Sequence, residues 1–149
     1  MDKLLISACL LGVNCKYNGG NNRLPEEALA ALRARYELVP VCPETAGGLP
    51  TPRIPSERRD SGVWNREGED VTGAYQKGAE AALRLARRLG CSRALLKERS
   101  PSCGSGMIYD GSFTGMLIPG RGVTAELLLE AGVTVYSEER LEELLGITK

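Results

Sequence analysis

The most restrictive feature of this 149-residue sequence is that it contains no histidine. A chain without histidine cannot build Ser-His-Asp or Cys-His catalytic arrangements, nor any metal site that depends on imidazole ligands. Proton transfer must therefore rely on carboxylates, hydroxyls, lysine or water. A transition metal would have to be held mainly by thiolates.

The usual nucleotide-binding and metal-binding signatures are also missing. No Gly-x-Gly-x-x-Gly follows the first apolar segment, and residues 115–122 lack the Gly-Lys-Ser/Thr ending of a P-loop. The sequence therefore disfavours a nucleotide cofactor. None of the cysteine spacings forms a Cys-x-x-Cys knuckle or a ferredoxin-type run, so local spacing alone does not identify a metal.

Neither the charge balance nor the apolar segments point to a large partner. Nineteen basic residues balance nineteen acidic ones, so no overall field favours nucleic acid or an anionic membrane. The apolar run 4–13 is too short to span a bilayer, and too few residues precede Cys9 for a lipoprotein signal. The five cysteines fit reduced thiols better than a disulfide framework. We therefore expect a cytoplasmic protein with no nucleic-acid or membrane partner.

Alternating apolar and helical segments predict a single α/β domain over residues 1–149. Strands are expected at 3–8, 38–42, 94–96 and 133–136, and helices at 25–36, 72–89, 124–131 and 137–145, with Thr124 and Ser137 as helix caps. This alternation predicts a Rossmann-like three-layer sandwich with a mostly parallel sheet of about four strands. A small hairpin is expected at 107–115, with Asp110-Gly111 at its turn.

The segment 43–69 shows no periodicity and is rich in proline, which predicts a long loop. Loops of this length inside compact domains are usually functional or disordered. The single tryptophan, Trp64, indicates that at least part of the segment packs against other residues. Its basic cluster, formed by Arg53, Arg58 and Arg59, is expected to be solvated.

Three of the cysteines follow predicted strands. Cys9, Cys42 and Cys103 each come after an apolar strand and before a segment that reverses the chain. Ligands of open α/β sheets bind outside the carboxyl ends of the strands, so the three thiols are expected to meet at one place. Three thiolates that leave a coordination position open suit either zinc or an iron–sulfur cluster, whereas a structural zinc site needs four ligands.

The other two cysteines carry different expectations. Cys91 lies beside Gly90 at a predicted helix end. It is expected to be an inert core thiol, because cysteine is among the most often buried residue types. Cys15 lies in the loop that follows Cys9. The sequence is compatible with three roles for this residue: a fourth ligand, a redox partner, or no role in the site.

A series of motifs identifies a resemblance to a known family. In chain order they are SACLLG (7–12), YNG (17–19), VCPE (41–44), GGLPTPR (47–53), KERSPSCG (97–104) and GVTA (122–125). Together they span nearly the whole chain and resemble the bacterial family that includes the 2-thiouracil desulfurases. The family commonly has aspartate at the position of Asn18 in this chain.

The resemblance implies a 4Fe–4S cluster bound by Cys9, Cys42 and Cys103. It also implies that the fourth iron binds the sulfur of a small thiolated nucleobase such as 2-thiouracil. The acid/base carboxylate of the family matches Glu44, and its catalytic serine matches Ser100. The implied activity is therefore a desulfuration that releases hydrosulfide with no net redox step.

Simpler interpretations stand beside these assignments. Glu44 also fits a turn cap and Ser100 a turn residue, whereas Arg53 fits either a ligand of a substrate carbonyl or an ion-pair partner that closes the long loop. The residues 97–99 also fit an ion-paired strand end. The alternative function is a non-enzymatic metal-binding or sulfur-carrier domain, in which Cys9 and Cys15 handle zinc or persulfide. A ligand-binding domain with unligated thiols is a third hypothesis.

Overall fold

The centre of the protein is a four-stranded parallel sheet, seen in a computed structural model that describes residues 1–146. Numbered along the chain, its strands are β1 (Asp2–Ser7), β2 (Tyr36–Val41), β5 (Arg93–Leu96) and β8 (Thr134–Ser137). They lie in the order β2-β1-β5-β8. The last positions of the predicted domain, 147–149, lie outside the described residues.

Helices cover both faces of this sheet. They are α1 (Glu26–Arg35), α3 (Thr72–Leu89), α4 (Val123–Glu130) and α5 (Leu141–Leu145). Side chains alternate between the faces along β1: Leu4 and Ile6 pack in one apolar cluster with α1 and α5, and Leu5 packs in another with α3 and α4. The predicted Rossmann-like three-layer α/β sandwich is therefore confirmed.

Helix boundaries follow the sequence signals closely, with one exception. The helix α3 spans the predicted residues and ends at Gly90, whose φ of 74° suits a glycine stop. Ser137 acts as the predicted cap, because its hydroxyl accepts the N–H of Glu139 at 3.2 Å in the short 3-10 turn before α5. The predicted cap at Thr124 is wrong, because α4 begins one residue earlier and the Thr124 hydroxyl instead lies 2.8 Å from Ser102 Oγ.

Within residues 1–146, no helix combines the length and the apolar character needed to cross a membrane.

The segment 43–69 is more structured than predicted. It contains a short helix, α2 (Pro43–Ala46), and an antiparallel hairpin of β3 (Ser56–Arg59) and β4 (Gly62–Asn65). The hairpin gave no clear signal because its strands are short and mostly polar, with Val63 the one fully buried apolar side chain. Trp64 packs against another residue as expected, since the Arg59 guanidinium of the same hairpin lies 5.5 Å from its ring centroid.

The basic cluster of this segment is less solvated than expected. The Arg53 and Arg58 side chains are only 7% and 14% exposed, and each forms an ion pair with a glutamate. The partner of Arg58 is Glu126 of α4, at 3.1 Å, so this ion pair joins the first hairpin to the main domain. Arg59 is exposed, as predicted.

The second hairpin differs from its predicted form. Its strands are β6 (Met107–Tyr109) and β7 (Leu117–Pro119), joined by a wide connection over residues 110–116. Asp110-Gly111 is therefore not a two-residue turn. The physical reason is a tertiary contact: the Glu57 carboxylate accepts the N–H groups of Gly111 and Phe113 at 3.0 and 3.1 Å, which holds the connection open.

Candidate active site

A cavity of about 470 Å³ opens at the carboxyl ends of the central strands. Its lining includes all five of the predicted site residues, which are Cys9, Cys42, Cys103, Glu44 and Ser100. They come from segments that follow β1, β2 and β5. Parallel strands end at the same edge of a sheet, so residues that are distant in the sequence meet there.

The three cysteines are held by different local structures. Cys9 lies in a 3-10 turn after β1, Cys42 directly precedes α2, and Cys103 lies in the turn that follows β5. Burial raises the pKa of the Cys9 thiol, although a hydrogen bond with the Asn22 side chain lowers it. Burial also raises the pKa of the Cys103 thiol well above its usual range, and the Glu44 carboxylate raises it further. Both thiols are therefore protonated unless a cationic centre holds them as thiolates.

Cys15 joins this group, whereas Cys91 does not. The Cys15 thiol lines the same cavity, and burial together with the neighbouring Cys42 raises its pKa to about 12. The Cys42 thiol in turn donates to the Cys15 carbonyl oxygen at 3.9 Å. Cys91 packs in the apolar cluster between the sheet and the helices α3 and α4, as predicted for a core thiol. All five cysteines are free thiols.

The thiols surround the cavity without closing on a single point. Among residues 1–146, no three cysteine or carboxylate side chains are grouped so that they could hold one metal ion. A tetrahedral zinc ion with Zn–S bonds of about 2.3 Å requires sulfur atoms about 3.8 Å apart. A donor set of separated cysteine thiols without histidine fits an iron–sulfur cluster better than a single zinc ion.

Glu44 is paired with Arg53 inside the cavity. The Glu44 Oε2 atom lies 3.7 Å from Arg53 Nη2, and the two side chains are only 12% and 7% exposed. Burial raises the pKa of Glu44, and the Arg53 charge lowers it. The same arginine donates to the carbonyl oxygens of Cys15, at 3.0 Å, and Pro50, at 3.2 Å. Arg53 thus closes the loop by an ion pair, which was one of its two predicted roles.

Ser100 has the turn role that the sequence offered as one of its two interpretations, and it lines the cavity. Its hydroxyl oxygen accepts the backbone N–H groups of Ser102 and Cys103 at 3.1 and 3.0 Å, so it organises the turn. A serine hydroxyl has two acceptor positions and one proton to donate. Both acceptor positions are therefore used, and the proton remains available to a group in the cavity.

Glu98 is the main residue whose role the sequence analysis missed. Its Oε1 atom accepts the backbone N–H groups of Ser105, Gly106 and Arg99 at 2.9, 3.2 and 3.2 Å. The predicted ion pairs of this strand end do exist: Lys97 pairs with Glu138 at 2.9 Å and Arg99 with Glu139 at 3.2 Å. The buried Glu98 instead ties together the turn that carries Ser100 and Cys103.

Several wall residues of the cavity also escaped prediction. They are Tyr75, Glu57, Arg66, Tyr109 and Phe113. Tyr75 had an available signal, because it lies one helical turn before Ala79 on the buried face of α3. The others belong to the two hairpins, whose contacts with each other are tertiary and leave no local pattern.

Comparisons with known proteins agree with this geometry. The family model for 2-thiouracil desulfurase matches residues 4–140. The uncharacterized protein YbbK of Bacillus subtilis (strain 168) is 41% identical over 152 residues, which cover 95% of this chain and 99% of YbbK. A weaker similarity, 30% identity over 115 residues, links 76% of this chain to 20% of the mouse Ras-specific guanine nucleotide-releasing factor RalGPS1. That match is too small a part of RalGPS1 to bear on function.

A solved structure shows the same fold. The 4Fe–4S-dependent thiouracil desulfidase TudS matches with a TM-score of 0.93 and 47% sequence identity, over 97% of this chain and 95% of TudS. Because the family model covers most of its length and these relatives align nearly end to end, the chain belongs to the 2-thiouracil desulfurase family.

Proposed function

We propose that the protein is a 4Fe–4S-dependent enzyme that removes sulfur from small thiolated nucleobases such as 2-thiouracil and releases it as hydrosulfide. The observation that carries the proposal is one cavity lined by Cys9, Cys42, Cys103, Glu44 and Ser100, in a chain of the desulfurase family. We also propose a cytoplasmic location, which the free thiols support.

The residues present fit the proposed cluster. Cys9, Cys42 and Cys103 would hold it, and they come from three separate strand ends that face one space. Three protein thiolates leave one iron of a cubane without a protein ligand. When bound, such a cluster supplies an iron Lewis acid that polarises the thiocarbonyl group of the substrate.

Glu44 is the proposed general base. Its carboxylate accepts a proton as a water molecule attacks the ring carbon that carries the sulfur. The Arg53 charge opposes the effect of burial on the pKa of Glu44, which keeps more of the carboxylate ionised and able to accept that proton. Overall, oxygen from water replaces sulfur on the ring and sulfur leaves as hydrosulfide, so no electrons are gained or lost.

Ser100 is the proposed proton donor. Because the N–H groups of Ser102 and Cys103 occupy its acceptor positions, the hydroxyl interacts with a ligand only as a donor. The same N–H groups would stabilise negative charge on the oxygen while the proton is transferred to the substrate, and a proton from water would then restore the hydroxyl. Ser100 and Cys103 share one turn, so the donor is placed beside a proposed cluster ligand.

The direct test is anaerobic reconstitution of the purified protein with iron and sulfide. We expect iron and sulfide uptake, the absorption and EPR signals of a 4Fe–4S cluster, and conversion of 2-thiouracil to uracil with one hydrosulfide per turnover. Replacing Cys9, Cys42 and Cys103 together by serine should abolish cluster uptake, whereas Cys91→Ala should not. Cluster uptake by the triple variant would rule out the ligand assignment, and a cluster-loaded protein without turnover would rule out the activity.

The position of Cys15 beside Cys42 favours the second candidate, a non-enzymatic metal-binding or sulfur-carrier domain. That function predicts tight zinc uptake by protein purified in air and no turnover of 2-thiouracil. The variant Cys15→Ser separates the two candidates, because a desulfurase with three cysteine ligands should keep its cluster and its activity. A sulfur carrier that depends on this thiol should lose zinc or persulfide binding.

A further inference from the structure

Part of the cavity wall is built by the two hairpins rather than by the parallel sheet. Glu57 comes from β3, Arg66 follows β4, and Phe113 comes from the connection between β6 and β7. All three residues line the cavity, yet none of them is needed to explain the proposed chemistry. These three residues therefore have a role at the cavity other than the proposed chemistry.

The connection over residues 110–116 is held in a defined conformation. The Glu57 Oε1 atom accepts the N–H of Gly111 at 3.0 Å and that of Phe113 at 3.1 Å. Phe113 has a φ of 59°, which is unusual for a bulky residue and persists only where surrounding contacts enforce it. Gly111 has a φ of 96°, and a Cβ atom there would lie 2.7 Å from Arg59 Cβ. One carboxylate thus fixes the backbone that presents Phe113.

The Phe113 ring is an aromatic surface placed at the cavity. It is the only phenylalanine in the sequence, and it is half-buried on this wall rather than packed in either apolar cluster. The Arg66 guanidinium lies 5.7 Å from the ring centroid, so it covers one face of the ring. Arg66 and Phe113 both line the cavity, so the ring and the guanidinium form part of the wall that a ligand would meet.

We propose that Phe113, positioned by Glu57, is the surface on which the planar ring of the substrate stacks, and that it selects aromatic thiolated heterocycles over puckered thioamides. The assignment rests on the proposed function and narrows its substrate class. Base–aromatic stacking depends on a flat π system and tolerates different ring substituents. A saturated ring with the same thioamide group would gain no binding energy from stacking on Phe113.

The test compares two substrates that share the reacting group, 2-thiouracil and its non-aromatic analogue 5,6-dihydro-2-thiouracil. The variant Phe113→Leu keeps an apolar side chain and removes the π face. We expect its KM for 2-thiouracil to rise about tenfold, with kcat changed by less than about twofold. The kcat/KM for the dihydro compound should not change, and Phe113→Tyr should restore the wild-type KM for 2-thiouracil. An equal loss on both substrates, or no loss on either, would overturn the proposal.

Glu57 is a positioning residue, so its variants should act through Phe113. Glu57→Ala should raise the KM for 2-thiouracil as Phe113→Leu does, and should add little in the double variant, because the two residues form one unit. Glu57→Gln keeps an oxygen acceptor and should restore most of the wild-type KM. Glu67→Ala, at an exposed position in the turn that follows β4, is the matched control. Additive effects of the Glu57 and Phe113 variants would refute the positioning role.

Binding of uracil decides the stacking proposal independently of turnover. Calorimetry with the reconstituted protein should show uracil binding about tenfold weaker in Phe113→Leu than in wild type, with 5,6-dihydrouracil unaffected. Absence of uracil binding by wild type, or equal affinity in both proteins, would overturn the stacking proposal. Absence of turnover by wild type would instead overturn the proposed function.

Discussion

Arg53 and Glu44 form a largely buried ion pair in the cavity, with Nη2 and Oε2 3.7 Å apart. The guanidinium also donates to the Cys15 carbonyl oxygen at 3.0 Å, so one side chain contacts both the proposed base and the loop that carries Cys15. A charge in this position does two things: it restrains the proline-rich segment, and it favours the ionised form of Glu44.

Replacing the arginine by glutamine should slow desulfuration by raising the pKa of Glu44. Burial already raises this pKa, and Arg53→Gln removes the charge that lowers it. A general base acts in its ionised form, so the acidic limb of the kcat/KM profile should move to higher pH. On that limb, kcat/KM at a given pH should therefore be lower in Arg53→Gln than in wild type. Measured pH–rate profiles test this, with the exposed Arg88→Gln as control. An unmoved acidic limb would contradict the prediction.

The variant Ser100→Ala should reduce kcat by about a hundredfold or more, the usual loss for a positioned proton donor. Because Ser100 also accepts the Cys103 N–H, iron content must be measured beside turnover. Retention of the cluster together with loss of kcat would support the donor role, and loss of both would assign the residue to the structure of the turn. Ser105→Ala, in the same turn but outside the cavity lining, is the control. Near-wild-type turnover by Ser100→Ala would exclude the catalytic assignment.

The parallel sheet and the convergence of the cysteines could be predicted from the sequence because both depend on local features. Apolar strands such as β1 and β5 end in turn-forming residues, and parallel topology brings those ends together. The joint position of Cys9, Cys42 and Cys103 at one cavity follows from that rule alone.

The second hairpin was predicted, but the first hairpin and the wide connection of the second could not be predicted in the same way. The wide connection over residues 110–116 depends on the carboxylate of Glu57, which is distant in the sequence. An Asp-Gly pair favours a tight turn when no other contact competes, but two tertiary hydrogen bonds outweigh that preference here. The turn with Ser100 likewise depends on Glu98, which the sequence indicated only as one of three charged residues at a strand end.

Gly78 should be intolerant of alanine because α2 and α3 touch backbone to backbone. A Cβ atom at Gly78 would lie 1.9 Å from the Pro43 carbonyl oxygen, at the start of the helix that carries Glu44. Alanine normally stabilises a helix interior relative to glycine. Gly78→Ala should instead lower the free energy of unfolding by about 1–3 kcal/mol, as overpacking does, and reduce cluster retention.

The matched control is Gly73→Ala in the same helix, where no atom lies within 4 Å of the added Cβ. Urea denaturation and iron analysis should show this variant at least as stable as wild type, with full cluster content. Unchanged stability and iron content in Gly78→Ala would contradict the prediction, because α2 would then have moved away from the added methyl group at no cost in free energy.

The charge of Glu98 should stabilise the protein at neutral pH but not in acid, and Glu98→Gln should remove this pH dependence. Burial raises the pKa of this carboxyl, but the backbone N–H groups of Gly106, Ser105 and Arg99 lower it more, so its net shift is downward. A carboxyl with a depressed folded-state pKa contributes stability above its unfolded value of about 4.3, and that contribution is lost as the pH falls through the folded-state value. Glu98→Gln should therefore be about 2 kcal/mol less stable than wild type at pH 7. The urea midpoints of the two proteins should converge as the pH is lowered below about 4. The control Glu130→Gln, at an exposed position, should have the same urea midpoint as wild type at every pH. If the urea midpoints of wild type and Glu98→Gln differ by the same amount at every pH, the charge of Glu98 is not what orders the turn with Ser100.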